Sequence, residues 1–304
     1  MGDDASIEIH DERGAAQLPP DARPEKIADG CIWTEGPLVL PWDGSLLFSD
    51  IPNDRVMRWS EAGGLEVWKQ PAHFANGRTL DAGGDILTCE HGARRVSRTR
   101  RDGGYEVVAD AYEGRRLNSP NDVVAAADGS IWFTDPPYGI ESDHEGHTAP
   151  SEQSGNYVYR VDSATGEVRI AADDFDRPNG LAFTPDGRRL YIADSGASRG
   201  AGSPDPYDPS RPHHIRVFDV APDGTLSGGT VFVEIDAGVP DGLRIDAAGN
   251  VWTSAWDGVH VLAPDATPLL HIRLPAKTSN LTLDPTRHRL FITASEAVWR
   301  VPLG

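Results

Sequence analysis

The chain is short of most features that would place it in a special class. Two cysteines, Cys31 and Cys89, stand in 304 residues. That excludes a disulfide-built scaffold, and the expectation is two free thiols in a reducing compartment. No apolar run approaches the roughly 20 residues that span a bilayer, so no membrane partner is expected. The first residues, Met1 to Pro24, have neither the basic start nor the apolar stretch of a secretory signal, and the expected location is cytoplasmic. Basic residues are few, 28 Lys and Arg against 47 Asp and Glu, for a formal charge of −19. A surface this acidic repels phosphate backbones, which argues against a nucleic-acid partner and suits attraction of cations. No Gly-x-x-x-x-Gly-Lys phosphate loop occurs. His144-Glu145-Gly146-His147 lacks the spacing that puts two zinc ligands on one helix face and is set aside.

What is present is a repeat. Arg177-Pro178-Asn179-Gly180-Leu181-Ala182-Phe183 leads through Pro185-Asp186-Gly187 to Leu190-Tyr191-Ile192-Ala193-Asp194. This reads as a polar tip, a strand with period-2 alternation, a tight turn and a second strand. The unit recurs six times, headed by Glu35, Asn76, Asn121, Asn179, Asp241 and Asn280, at intervals of 41, 45, 58, 62 and 39 residues. That is the scale of a four-stranded propeller blade. The expected fold is all-β: a six-bladed β-propeller, one domain over residues 1–304, with residues 1–24 as an N-terminal arm. After Asn280 there is room for three strands only, Leu281–Leu283, Leu290–Thr293 and Val298–Val301. The fourth strand of that blade should come from the N-terminus, where Ser6–Ile9 and Glu25–Ala28 read as strands, because an unclosed ring leaves ladder groups unpaired. Most tryptophans read as packing between blades.

The six leading residues should line one end of the channel. Asn and Asp before Gly also form turns; six in phase, one of them a Glu, favour a polar ring. Two carboxylates with several amide oxygens suit a hard cation, and no Cys or His heads a repeat. A divalent ion held by Glu35, Asn121, Asn179 and Asp241 is expected, with calcium first and zinc, magnesium or manganese as alternatives. Asn76 and Asn280 are assigned around it. Such an ion polarises a carbonyl or phosphoryl oxygen and acidifies bound water, while Asp241 serves as general base or attacks directly. Asn76, His91, Asn121, Asp135 and Tyr138 are candidate substrate contacts, and Trp256-Asp257 a candidate wall. The third and fourth repeats carry insertions, Ile140 to Gly155 and Gly196 to His214 (with Pro204, Pro206, Pro209 and Pro212), which should overhang the ring as lids or binding walls.

Five motifs in order carry a resemblance: Trp33-Thr34-Glu35-Gly36-Pro37, Asn118-Ser119-Pro120-Asn121-Asp122, Trp132-Phe133-Thr134-Asp135-Pro136-Pro137-Tyr138-Gly139, Arg177-Pro178-Asn179-Gly180 and Val239-Pro240-Asp241-Gly242. From about Ile27 to the end, the chain resembles the gluconolactonase branch of the senescence-marker-protein, gluconolactonase and luciferin-regenerating-enzyme family. The resemblance implies a six-bladed propeller, one channel cation, often calcium, and hydrolysis of sugar lactones in carbohydrate metabolism. It places the family's ligands on Glu35, Asn121, Asn179 and Asp241, the last also as base. Members of the animal regucalcin type hold sugar hydroxyls with an Arg where this chain has Ser119, a departure that bears on substrate preference. The rival readings are a metal-dependent hydrolase of another ester or a phosphotriester on the same site, and a non-catalytic binding propeller.

Overall fold

The computed structural model describes residues 5–200 and 206–304; Pro204 and the first four residues of the arm lie outside them. Six sheets of antiparallel strands form the propeller. Blade 1 runs from Thr34–Val39 innermost through Leu46–Asp50 and Arg55–Ser60 to Gly64–Lys69. Blade 2 spans residues 75–109, blade 3 123–175, blade 4 178–234, blade 5 243–273 and blade 6 278–302. In blade 6 the outer strand is Glu25–Ala28, paired antiparallel with Ala297–Pro302, so the N-terminus closes the ring as its strand count requires. Ser6–Ile9 takes a different place: it pairs with Pro268–Arg273 as a fifth strand of blade 5.

The core lies between blades. Second strands read as nearly continuous apolar runs because both of their faces are buried. In Leu46–Asp50, Leu46 and Phe48 pack against Phe291 and Val298 of blade 6, while Leu47 joins Ala75 and Ile86 of blade 2. In Ile131–Asp135, Ile131 and Phe133 pack with Leu87 and Val96 of blade 2, and Trp132 with Leu181 and Ile192 of blade 4. Each fully buried side chain of this size contributes about 1.5–3 kcal/mol. Trp59, Trp132 and Trp252 serve this packing, but Trp42 and Trp68 are exposed on the outer surface. No disulfide forms, and Cys89 is a buried hydrophobe in the wall between blades 2 and 3.

At the channel, blades meet by backbone contact. The N–H of Gly77 donates to Asn121 O at 2.9 Å, and that of Gly180 to Asp241 O at 3.0 Å. A Cβ on Gly77 would stand 2.5 Å from Asn121 O, and one on Gly180 2.2 Å from Asp241 O. The Gly after the ring residue is therefore there to let the next blade approach, a close-contact use rather than a turn. Serine hydroxyls of the second strands span the same gaps, Ser49 Oγ to Asn76 O at 3.0 Å and Ser254 Oγ to Ser279 O at 2.7 Å. The channel end is thereby rigid, and it carries the ring.

Candidate active site

Glu35, Asn76, Asn121, Asn179 and Asp241 converge on one cavity of about 220 Å3 at the channel mouth. Glu35 stands on the inner strand of blade 1, where Glu35 Oε2 accepts from the Gly36 N–H at 2.5 Å and from Asn280 Nδ2 at 2.9 Å. Asn280 is thus behind the ring, orienting Glu35, and does not line the cavity. Asn121 is fixed by its own N–H to Thr134 O at 2.8 Å, and Asp241 by its N–H to Ser254 O at 3.2 Å. The Asn179 side chain favours the charged form of the Asp241 carboxyl.

Electrostatically the ring is short of positive charge. Burial raises the Asp241 carboxyl well above the ordinary carboxylate range, and the Glu35, Asp122 and Glu145 carboxyls add to this. Burial and then Asp122 raise Glu35 likewise. Below the ring, Arg78 gives Nη1 to Gly36 O at 2.5 Å and Nη2 to Ser49 Oγ at 2.6 Å, so its donors are spent on the frame. Arg244 stays 3.8 Å from Asp122. Asn76 Oδ1 is buried with no hydrogen-bond partner. Two carboxyls burdened by burial, two further amide side chains and an orphaned amide oxygen are a donor set that fits a hard divalent cation.

His91 and Asp135 are not brought to the cavity wall. The His91 ring is buried between the ring and a lid. Its Nε2 accepts from Asn76 Nδ2 at 3.1 Å, which leaves Nδ1 to donate to Glu145 O at 3.1 Å. Burial lowers its pKa to about 4, so it is neutral, as that pairing requires. Asp135 accepts the Asn118 N–H at 2.7 Å, three residues before Asn121. Asp50 accepts from Ile32 N and Asp194 from Arg177 N, both at 2.9 Å. The Asp that ends the second strand in these repeats is a brace for the loop that delivers the ring residue.

Both insertions overhang the ring. Tyr138, His144 and Glu145 come from blade 3, and Ser198, Gly200 and Pro206 from blade 4. Ser119 builds the first of these lids: its Oγ donates to Pro136 O at 2.6 Å and accepts from Gly139 N at 2.9 Å. Arg177 ties the lid to blade 4, pairing with Glu141 at 2.6 and 2.8 Å beside the Tyr138 ring. Trp256 forms wall as expected, with Lys277 Nζ 3.7 Å from its ring centroid. His144, Glu145, Trp33 and Lys277 carry no repeat signal. The third-repeat insertion was the pointer to the first two.

Outside the channel, Asp257, His260 and His271 bring three ligand atoms within 4.8 Å of one another, a set that could hold a divalent ion.

Acidic and amide side chains thus converge at one channel mouth of a six-bladed propeller. Residues 33–296 match the family model described as the SMP-30/Gluconolactonase/LRE-like region, and the chain belongs to that family. It is 32% identical to a gluconolactonase of Zymomonas mobilis, covering 91% of this chain and 80% of that one. A pentonolactonase of Haloferax volcanii is 27% identical over 87% of this chain and 82% of its own. The solved structure of a gluconolactonase from Xanthomonas campestris superposes with a TM-score of 0.88 at 36% identity, over 98% of this chain and 95% of that one. These likenesses put the chain on the lactonase-like, hydrolase branch of the family. No helix among the described residues is long and apolar enough to cross a membrane.

Proposed function

We propose that the protein is a metal-dependent lactonase that opens a sugar lactone, gluconolactone-like, to its aldonic acid. The observation that carries this reading is the meeting of Glu35, Asn121, Asn179 and Asp241, two carboxyls and two amides, in one small cavity. These four would hold one divalent ion, calcium first by donor type. When bound, the ion supplies Lewis-acid polarisation of the lactone carbonyl.

The chain's own groups do the rest. Asp241 takes the proton of the attacking water. Burial and its acidic neighbours make it more basic than an ordinary carboxylate, which offsets the acidifying effect of a ligated cation. Asn76, steadied by His91, joins Asn121, Tyr138 and Glu145 in offering hydrogen-bonding groups to the sugar hydroxyls, while Trp33 and Trp256 give an apolar face. A strained or activated ester needs only this modest assistance, whereas an amide needs a stronger base and a proton donor for its nitrogen.

The test is Asp241→Asn, assayed together with its metal content. Hydrolysis is expected to fall by about 10²–10⁴-fold, with loss in kcat and the fold intact. Full activity in a metal-loaded Asp241→Asn protein would remove Asp241 as the base.

A further inference from the structure

The cluster of Asp257, His260 and His271 is the strongest feature that the lactonase reading does not use. Asp257 sits in the turn between Val251–Ala255 and Gly258–Leu262; His260 is on the second of these strands and His271 on Pro268–Arg273. Register puts His260 directly opposite His271, and His271 opposite Glu8 of the N-terminal strand, so all three share one sheet face. His260 Nε2 lies 2.8 Å from Asp257 Oδ1, and His271 Nε2 lies 3.4 Å from Asp257 Oδ2. The two imidazoles stack with centroids 3.9 Å apart.

Two observations point to a ligand. The three ligand atoms converge within 4.8 Å. Independently, His271 is 3% exposed and its Nε2, 3.4 Å from Asp257 Oδ2, makes no hydrogen bond. A buried imidazole nitrogen without a partner is costly.

We propose that Asp257, His260 and His271 form a second metal site, separate from the channel, that takes a borderline transition ion of the zinc type. Two imidazoles and one carboxylate are the donors zinc accepts at about 2.0–2.2 Å, which sets neighbouring ligand atoms about 3.3 Å apart in a tetrahedron. The histidine nitrogens lie 2.8 Å from one Asp257 oxygen and 3.4 Å from the other, so both rings already meet that carboxylate. Calcium, which prefers oxygen donors, is disfavoured by the same set. Binding requires each ring to turn until its Nε2 lone pair meets the ion, with His260 carrying its neutral proton on Nδ1. The fourth position falls to water on the partly exposed side. Arg273, whose Nη1 is 3.5 Å from Asp257 Oδ2, is the competing cation, and its Nε also pairs with Glu8 at 2.5 Å. Asp257 directly follows Trp256, a wall of the cavity. The ion therefore pins that turn to the outer strands of blade 5, and its role is structural.

Zinc binding to the chelator-stripped full chain tests the proposal, measured by calorimetry in wild type, Asp241→Asn, His260→Gln and His271→Gln. A site that survives Asp241→Asn is expected. It should weaken by at least about a hundredfold in either His variant, the upper end of what losing even an outer-shell partner costs a metal site. His260 is partly exposed, so its variant keeps the test sound if the buried His271→Gln protein folds poorly. Cobalt in the Asp241→Asn protein should give the absorption of a tetrahedral ion, and adding His260→Gln should abolish it. Zinc binding that is unchanged in His260→Gln, or absent altogether in Asp241→Asn, overturns the proposal. None of these readouts depends on lactone turnover.

Discussion

At the residue scale, burial works against the charge of the acids in and behind the cavity. Burial raises Asp135 and Glu145 to about 7, with Glu141 pushing Glu145 further, and raises Glu35 and Asp241 as well. A carboxyl whose folded pKa lies above its unfolded value near 4 binds its proton more tightly in the native state. Its contribution to stability is complete below that unfolded value and is lost as pH rises through the folded one. The melting temperature of chelator-treated protein is therefore expected to fall between about pH 5 and pH 8. Saturating divalent ion should flatten that slope, because Glu35 and Asp241 are then held ionised. A melting temperature that rises with pH in chelator would contradict the assignment. The ring was legible in the sequence because six polar residues recur in phase. Asp135 was legible as polar but not as a brace, although Asp50 and Asp194 at the same repeat position carry the clue. A role shared by several blades belongs to the frame, whereas a residue that differs between blades, as Glu35 and Asp241 do, is the candidate for chemistry. His91 was legible only as a neighbour of the ring, since nothing local says that its partner on the far side is a lid carbonyl.

At the scale of the element, the Asn-Gly and Asp-Gly pairs illustrate how a local signal misleads. Taken singly they would pass for turns; their recurrence in phase marks them as the ring, and the glycine is where the next blade's carbonyl passes. Gly180→Ala places a Cβ 2.2 Å from Asp241 O, a backbone atom that cannot swing away. A cost of about 1–3 kcal/mol or more is expected, read as a lower denaturant midpoint, together with reduced lactone turnover because Asp241 moves. Wild-type stability in Gly180→Ala would show that the blades have slack at the channel. The lids were legible as insertions with positions but not as surfaces. Their contacts, such as Arg177 with Glu141 and Ser119 with Gly139, join residues whose pairing depends on tertiary approach.

At the scale of the whole molecule, the count of strands predicted closure, and Glu25–Ala28 supplies it. The position of Ser6–Ile9 on blade 5 was not legible, because a half-exposed edge strand carries no pattern that names its neighbour. Removing residues 1–30 strips both strands, exposing the edges of Ala297–Pro302 and Pro268–Arg273 together with the apolar side chains that Ile7 and Ile27 cover. A melting temperature lowered by several degrees and a tendency to self-associate are expected; an unchanged melting temperature would mean that the ring holds without its closing strand. The central claim is that the ring is a metal-dependent lactonase site, and one measurement addresses it most directly. Hydrolysis of glucono-1,5-lactone is followed by proton release, first with protein stripped by chelator and then with calcium, zinc, magnesium or manganese restored singly. Loss of turnover on stripping and its return with at least one ion is the expected result. Turnover that survives complete stripping, or folded protein inactive with every ion, would contradict it.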